Sequence, residues 1–332
     1  TGCYATIAPD ELSIVNGAGR LVPNEDKDRL ISLIDPGSLS QTAAFDQEPI
    51  LRQFLPGQTG SLMGNTRAFV KVQDGCDNRC TFCVTTIARG QGQSRRLGDV
   101  VSEIQAMSSA GYREAVLTGV HLGSYGRDLG NGSNLGQLLT AILQHTDIPR
   151  LRISSLEPWD VAPDFFALWA DPRLLPHLHL PLQSGSDRIL RRMARRTTRD
   201  SYRVLVRRAR ENIPDLNLST DLIAGFPGET EADVADTLAF VEEMNFSRLH
   251  VFGYSKRPGT AAASMDGQVP EPLKKERVRR LLALGKRLSL SFHAGFQGSI
   301  RDVLWETAVG ADRRSLKWIG YTDNYIRVAA TG

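Results

Sequence analysis

Three cysteines in a C-x-x-x-C-x-x-C pattern, Cys76, Cys80 and Cys83, constrain this chain more than any other feature. The sequence holds four cysteines in 332 residues, so most of its thiols stand in one short segment. Clustered thiolates select zinc, copper(I) or iron–sulfur centres. A structural zinc site needs four ligands, and the next histidine, His121, is far along the chain. The spacing therefore favours a [4Fe-4S] cluster with one open iron, although a zinc knuckle or three unrelated buried thiols remain alternatives.

The residues around the cysteines extend this pattern into a longer motif. The segment reads F-V-K-V-Q-D-G-C-D-N-R-C-T-F-C, with Phe82 just before the last cysteine, and A-R-G follows. This text resembles the methylthiotransferases of the radical S-adenosylmethionine (SAM) enzymes. The resemblance implies that Cys76, Cys80 and Cys83 hold a [4Fe-4S] cluster, that the open iron chelates SAM, and that Phe82 lies at the cofactor.

The resemblance also implies a reaction in two halves. Cleavage of SAM would yield a 5'-deoxyadenosyl radical that abstracts hydrogen from C2 of an adenine. A second, auxiliary [4Fe-4S] cluster would hold a sulfur that another SAM methylates before its transfer to that carbon. An electron donor such as flavodoxin would supply the reducing electron.

The chain opens on T-G-C-Y-A and does not begin with Met. This text resembles the last cysteine motif of the family's N-terminal domain, where three dispersed cysteines bind the auxiliary cluster. Cys3 is the one such cysteine in this sequence. We expect an N-terminally truncated chain in which Cys3 is one ligand of a cluster site that the chain alone does not complete.

Strand and helix patterns alternate from Arg67 to about Tyr254, and this predicts an α/β fold with a parallel sheet. Six such units resemble the open, partial (β/α)6 barrel of radical SAM cores. The predicted strands are Ala68–Gln73, Ala115–Gly119, Arg150–Ser154, His177–Pro181, Asn217–Ile223 and Leu249–Tyr254. The predicted helices are Leu97–Ala110, Leu135–His145, Pro163–Trp169, Asp187–Arg195, Arg199–Glu211 and Glu231–Met244, and a long helix begins near Pro272.

Strand-like segments with aromatic residues follow the long helix. G-Y-T-D-N-Y-I-R-V resembles the end of a TRAM domain, a small RNA-binding β-barrel. The predicted organisation is a remnant of an N-terminal domain (1–50), a linker (51–66), a radical SAM core (67–295) and a TRAM-like domain (296–332). We expect the TRAM-like domain, together with RNA, to help close the mouth of the barrel.

Further candidate residues stand where predicted strands end, the place where parallel α/β folds bind ligands. Gly119 ends the second strand and Glu157 follows the third. Gln183 and Ser184 follow the fourth, and Asp221 lies in the fifth. Their order along the chain matches the family, which implies that these five residues bind SAM. The scattered histidines receive no role.

Charge and cysteine usage bear on the partners and the compartment. The net charge is only +3, but ten arginines lie between Arg188 and Arg210, where Asp200 is the only acid. Further basic residues lie at 274–287 and 313–317. Such patches predict a polyanion, with RNA favoured. Four cysteines without a disulfide pattern, and no apolar run of about 20 residues, predict a cytoplasmic protein.

Within the family, T-G-V-H-L-G-S-Y-G-R-D-L and R-I-S-S-L-E-P look most like the branch that methylthiolates N6-threonylcarbamoyladenosine beside the tRNA anticodon. This resemblance implies a tRNA anticodon stem-loop as partner. Two alternatives in the family act on isopentenyladenosine in tRNA or on a ribosomal protein. An alternative of another class is a non-catalytic RNA-binding protein with a structural metal.

Overall fold

A computed structural model describes residues 1–34 except 16 and 18, residues 66–309 except 163, and residues 317–331. The predicted linker therefore lies almost wholly outside the described residues, as do Arg313 and Arg314. The strands are β1 (Arg67–Lys71), β2 (Gln73–Asp74), β3 (Gln93–Ser94), β4 (Glu114–Thr118), β5 (Arg150–Ile153), β6 (His177–His179), β7 (Asn217–Ala224), β8 (Arg248–Gly253), β9 (Val303–Val309), β10 (Lys317–Thr322) and β11 (Arg327–Thr331). The α-helices are α1 (Cys3–Ile7), α2 (Pro9–Ser13), α3 (Leu30–Ile34), α4 (Thr85–Arg89), α5 (Leu97–Ser109), α6 (Leu135–His145), α7 (Asp187–Arg192), α8 (Arg199–Asn212), α9 (Glu231–Met244) and α10 (Glu271–Ala294).

Six parallel strands form the centre of the molecule. β1, β4 and β5 make one three-stranded sheet, and β6, β7 and β8 make another. Parallel bridges between Leu151 and Leu174 and between Ser155 and His179 join the two sheets. The α/β prediction is thus confirmed, with the six strands in chain order. The barrel shape and the domain boundaries remain predictions.

Helices begin where short polar side chains cap their first turns. Asn134, Thr198 and Thr230 each accept a hydrogen bond from the third residue of α6, α8 and α9, in capping boxes. Such caps satisfy backbone donors that a helix start leaves open. Two helix predictions need correction. Residues 165–170 form a 3-10 helix, and α7 ends at Arg192, shortly before Ala194 takes a φ of 55°. That left-handed conformation interrupts an α-helix.

The C-terminal strands form a small antiparallel sheet in the order β11-β10-β9. This sheet packs against the first residues of the parallel strands. Arg67 at the start of β1 forms an ion pair with Glu306, and Asn217 at the start of β7 donates to the Asn324 carbonyl at 2.7 Å. The cysteine loop lies beyond the opposite ends of the strands. The expectation that this module closes the mouth is therefore wrong for the described residues, and its TRAM-like identity remains a prediction.

Among the described residues, no helix combines the length and the apolar character that crossing a membrane requires.

Candidate metal centre and adjoining cavity

Backbone contacts fix the cysteine loop and leave no space for a side chain at its start. β2 pairs with β3 on either side of the loop, and the Cys76 amide donates to the Gly90 carbonyl at 3.1 Å. Gly75 has a φ of 71°, and a Cβ there would lie 1.9 Å from the Gln91 carbonyl oxygen. Only glycine meets both conditions at low cost. The segment G-C-D-N-R-C-T-F-C therefore folds into a loop whose first turn requires glycine at position 75.

Hydrogen-bond donors surround the three sulfur atoms. The Asn78 amide lies 3.4 Å from Cys76 Sγ, the Thr85 amide lies 3.4 Å from Cys83 Sγ, and the Arg195 guanidinium lies 3.7 Å from Cys80 Sγ. All three cysteines are free thiols of intermediate burial. Donors aimed at sulfur stabilise thiolates and tune iron–sulfur clusters. The donor set of this loop thus fits three thiolate ligands of a [4Fe-4S] cluster.

Arg195 is the main charged neighbour of the loop, and it pairs with the predicted site residue Glu157. Its guanidinium is almost fully buried and donates to the Pro181 carbonyl at 2.7 Å. It also stacks on the Trp159 ring, 4.4 Å from the ring centre. Burial raises the pKa of the Cys80 thiol, and the Arg195 charge opposes this rise. Arg195 lies 38 residues from Glu157 in the chain, so no local sequence pattern indicates this pair.

His121 joins the loop to a second buried ion pair. Its Nε2 lies 2.5 Å from Asp160 Oδ2, and its backbone amide donates to Gln73 at 2.8 Å. Burial alone would lower the pKa of His121, but Asp160 and the Cys76 thiol raise it to about 9. The imidazolium form is therefore favoured beside Cys76.

A cavity of about 320 Å³ adjoins the cysteine loop at the ends of β7 and β8. Three of the predicted cofactor residues line it, namely Phe82, Gln183 and Asp221. Gln183 has a φ of 72°, and its backbone bonds to Asp221 and Ile223 hold it there. The lining is completed by Ile223, Phe252, Gly253, Tyr254, Ser255 and Arg257. A larger cavity of about 650 Å³, around α6, is lined by none of the cysteines.

Two predicted residues lie elsewhere. The Ser184 side chain is buried, with its hydroxyl accepting from the Ser186 amide at 3.2 Å and 3.5 Å from the Thr237 hydroxyl. A Cβ at Gly119 would lie 2.9 Å from Leu122 and 3.1 Å from Gln73. The tight space at Gly119 is thus explained by its protein neighbours. A SAM contact by either residue remains a prediction.

Two histidines without a predicted role flank Asp221. His179 Nε2 and His250 Nδ1 lie 3.2 and 3.3 Å from the two carboxylate oxygens. Burial alone would raise the pKa of Asp221, but the two imidazoles hold it well below its usual range. The three groups are close enough to share a cation, and two hydrogen bonds account equally well for the spacing. The H-x-H sequence of β6, His177 to His179, is the one local pattern that could have indicated this cluster.

Cys3 lies on the same side of the molecule as the cysteine loop. Helix α1 packs against α4, which directly follows Cys83. The hydrogen bond from Arg89 to Asp74 raises the pKa of Arg89, and Cys3 adds to the rise. The thiol of Cys3 is therefore near the end of the A-R-G motif, although its role as a cluster ligand remains a prediction.

Five of the ten arginines in the run form ion pairs among the described residues, four of them with acids far away in the sequence. Helix α9 supplies three of them, which pair Arg188 with Asp233, Arg199 with Asp236, and Arg203 with Glu243. These pairs join neighbouring elements and reduce the expected single-sign field, while the other five arginines form no ion pair with a described residue.

Comparisons with known proteins agree with this geometry. A family profile described as the Radical SAM superfamily matches residues 70–241. The chain is 36% identical over 336 residues to the threonylcarbamoyladenosine tRNA methylthiotransferase MtaB of Bacillus subtilis, covering 100% of this chain and 74% of that relative. It is 42% identical over 241 residues to the tRNA-2-methylthio-N(6)-dimethylallyladenosine synthase of Acetivibrio thermocellus, covering 72% of this chain and 50% of that relative. Coproporphyrinogen III oxidase of Escherichia coli, a radical SAM enzyme, matches in structure with a TM-score of 0.50 at 17% identity, covering 77% of this chain and 66% of that chain. This last likeness concerns the fold alone.

Proposed function

The chain belongs to the radical SAM superfamily and, within it, to the tRNA methylthiotransferases, and we propose on that premise that it converts N6-threonylcarbamoyladenosine in tRNA to its 2-methylthio derivative. The observation that carries the proposal is the similarity to MtaB over the whole chain, cysteine loop included. The dimethylallyladenosine synthase matches 72% of the chain, so its substrate is the second candidate. The resemblance stated from the sequence is thereby confirmed at the level of the family.

The family implies a [4Fe-4S] cluster and SAM, and Cys76, Cys80 and Cys83 are the residues that would hold the cluster. When bound, the cluster supplies the electron that splits SAM and so provides the radical that attacks the adenine. The chain's own part is electrostatic and steric. Arg195 compensates thiolate charge at Cys80, and Asn78 and Thr85 donate to the other two sulfurs.

SAM and the target base would meet in the cavity beside the loop. Its wall combines apolar faces, Phe82 and Phe252, with polar groups at Gln183 and Asp221. Such mixed walls orient a ligand while they limit access of water. Excluding water protects a reactive radical from side reactions. We infer that Phe82, Gln183 and Asp221 contact SAM here, with Glu157 acting through Arg195.

The position of Cys3 supports an auxiliary [4Fe-4S] cluster on the same side of the molecule. α1 carries Cys3 and packs on α4 next to the cysteine loop. Sulfur held there would be near the base whose carbon it joins. Cys3 would be one ligand of this second cluster.

The tRNA would approach the same end of the parallel strands. Arg79 in the cysteine loop and Lys256 after β8 are exposed and make no ion pair among the described residues. Free cations around a catalytic opening suit contacts to phosphates of an anticodon stem-loop. The free thiols and the tRNA substrate favour the reducing cytoplasm, where an electron donor such as flavodoxin would act.

The test is anaerobic reconstitution of the chain with iron and sulfide, followed by addition of reductant, SAM and tRNA bearing N6-threonylcarbamoyladenosine. We expect 5'-deoxyadenosine from the reconstituted chain, and the 2-methylthio nucleoside, sought in digests by mass spectrometry, once the auxiliary cluster that Cys3 helps to bind is complete. tRNA bearing isopentenyladenosine and a ribosomal protein serve as parallel substrates. Product from either one alone would replace the proposed substrate, and bound zinc without 5'-deoxyadenosine would favour the non-catalytic alternative.

A further inference from the structure

The cavity beside the cysteine loop carries one acid and one base with different surroundings. Asp221 is flanked by His179 and His250, which satisfy both of its oxygens. Arg257 lines the same cavity, and its guanidinium makes no ion pair or hydrogen bond with the described residues. The lining therefore holds one unsatisfied charge, and that charge is positive.

The backbone places Arg257 firmly although its side chain is free. The Thr260 amide and hydroxyl donate to the Arg257 carbonyl at 3.2 and 2.7 Å. Gly259, in the same turn, approaches Ile87 of α4, and the Ala262 amide donates to the Thr81 carbonyl at 2.8 Å. These contacts tie the turn to the cysteine loop. The backbone of Arg257 is thus fixed at the edge of the cavity, and its side chain, which lines the cavity, is free to meet a bound group.

Two carboxylates could enter this region, and they would bind at different places. By the family's chemistry the methionyl carboxylate of SAM binds next to the cysteines, where Arg195 lies 3.7 Å from Cys80. The N6 arm of threonylcarbamoyladenosine ends in the free carboxylate of threonine, whereas an isopentenyl arm carries no charge. Arginine binds carboxylates through two parallel hydrogen bonds.

We propose that Arg257 binds the threonyl carboxylate of the substrate and so selects this tRNA modification over neutral N6 arms. The inference rests on the proposed function and adds the residue that determines its specificity. Phe252, which is 54% exposed and lines the same cavity, offers an aromatic face for the base. Aromatic stacking binds different bases with similar strength, so the charged contact determines selectivity.

The experiment compares binding of two tRNAs that differ only in the N6 arm, the natural threonylcarbamoyl acid and its uncharged threoninamide form. Dissociation constants are measured with the reconstituted chain and with R257Q, R257K and K256Q. We expect the unsubstituted chain to prefer the acid by about 10- to 100-fold, as for loss of a hydrogen-bonded charge pair. R257Q abolishes the preference, R257K restores part of it, and K256Q, one residue away and outside the cavity lining, retains it.

Three outcomes would overturn the proposal. If R257Q weakened the binding of both tRNAs equally, Arg257 would be a phosphate contact. Loss of SAM-dependent 5'-deoxyadenosine in the absence of tRNA would make it a contact to SAM. An absence of preference in the unsubstituted chain would exclude a charge-reading site altogether. Because binding needs no turnover, a chain that prefers the acid yet forms no methylthio product would contradict the proposed function and leave this inference standing.

Discussion

Arg195 donates to both carboxylate oxygens of Glu157, at 3.0 and 2.5 Å, while the same guanidinium lies 3.7 Å from Cys80 Sγ. The proposed cluster ligand Cys80 therefore has a buried ion pair as its neighbour. Local charge and hydrogen bonds to sulfur are among the factors that set iron–sulfur reduction potentials. The pair joins the end of the third parallel strand to the segment after α7, and neither element would place this charge alone.

Removing the two partners of this pair is expected to shift the cluster's reduction potential in opposite directions. R195Q removes a positive charge near Cys80 and leaves Glu157 in place, so the reduced cluster is disfavoured and the potential falls. E157Q leaves the positive charge uncompensated, and the potential rises. Redox titration followed by electron paramagnetic resonance measures both shifts. Shifts of the same sign in both variants would rule out a charge effect.

Alanine substitution of the loop cysteines is expected to separate the two proposed clusters. C76A, C80A or C83A removes a ligand of the SAM-binding cluster, so iron content falls and 5'-deoxyadenosine is lost. C3A leaves that cluster intact, so SAM cleavage persists, while sulfur transfer by an enzyme with a complete auxiliary cluster does not. Iron analysis and 5'-deoxyadenosine assays provide the comparison. Loss of SAM cleavage in C3A would show that Cys3 serves the first cluster.

Gly75 is expected to tolerate no side chain. G75A adds a Cβ 1.9 Å from the Gln91 carbonyl oxygen at a φ of 71°, so the loop shifts and iron incorporation falls severalfold. G90A is the matched control, because Gly90 has a φ of 75° but no atom within 4 Å of the added Cβ. Both variants carry backbone strain of about 1–3 kcal/mol, and only G75A has the clash. Equal iron loading in the two would contradict this account.

Glu114 is expected to govern stability at the interface with the C-terminal sheet. Its buried carboxylate pairs with Arg150 and Arg152 at 2.9 Å, and the Arg152 guanidinium lies 4.2 Å from the Tyr325 ring centre. E114Q leaves the arginines uncompensated, so we expect a loss of about 3–5 kcal/mol in unfolding free energy. E242Q is the control, because Glu242 and its partner Arg287 are 56% and 60% exposed and such pairs contribute about 1 kcal/mol or less. Urea unfolding at pH 7 measures both.

The same carboxylate predicts a pH dependence. Burial alone would raise the pKa of Glu114, but Arg152 and Arg150 lower it below its ordinary value of 4.5. The unfolded chain therefore binds this proton more readily than the folded chain. The stability contribution is complete above about pH 5 and is lost as the pH falls toward the folded-state pKa. Between pH 6 and 3, the free energy of unfolding should change less with pH for E114Q than for the unsubstituted chain. Parallel pH dependences in the two proteins would refute the linkage.

Much of the fold could be read from local patterns. β4 and β7 agree with their predicted positions to within one residue at each end, and α6 and α9 match their predicted bounds. These elements have strong hydrophobic periodicity or a capping box, both of which act over a few residues. The helix predicted over Asp187–Arg195 is too long at its C-terminal end, because no glycine or proline marks the left-handed turn at Ala194.

The sequence by itself determined the cysteine triplet, the alternation of strands and helices, and the family, since each depends on the spacing of near neighbours. The tertiary structure alone decided which distant groups meet. It brought Arg195 to Glu157 and Cys80, placed His179 and His250 on Asp221, and set α9 acids against the arginine run. It also placed the C-terminal sheet at the starts of the parallel strands. These pairings depend on strand register and on the path of each crossover, and composition and spacing along one chain specify neither.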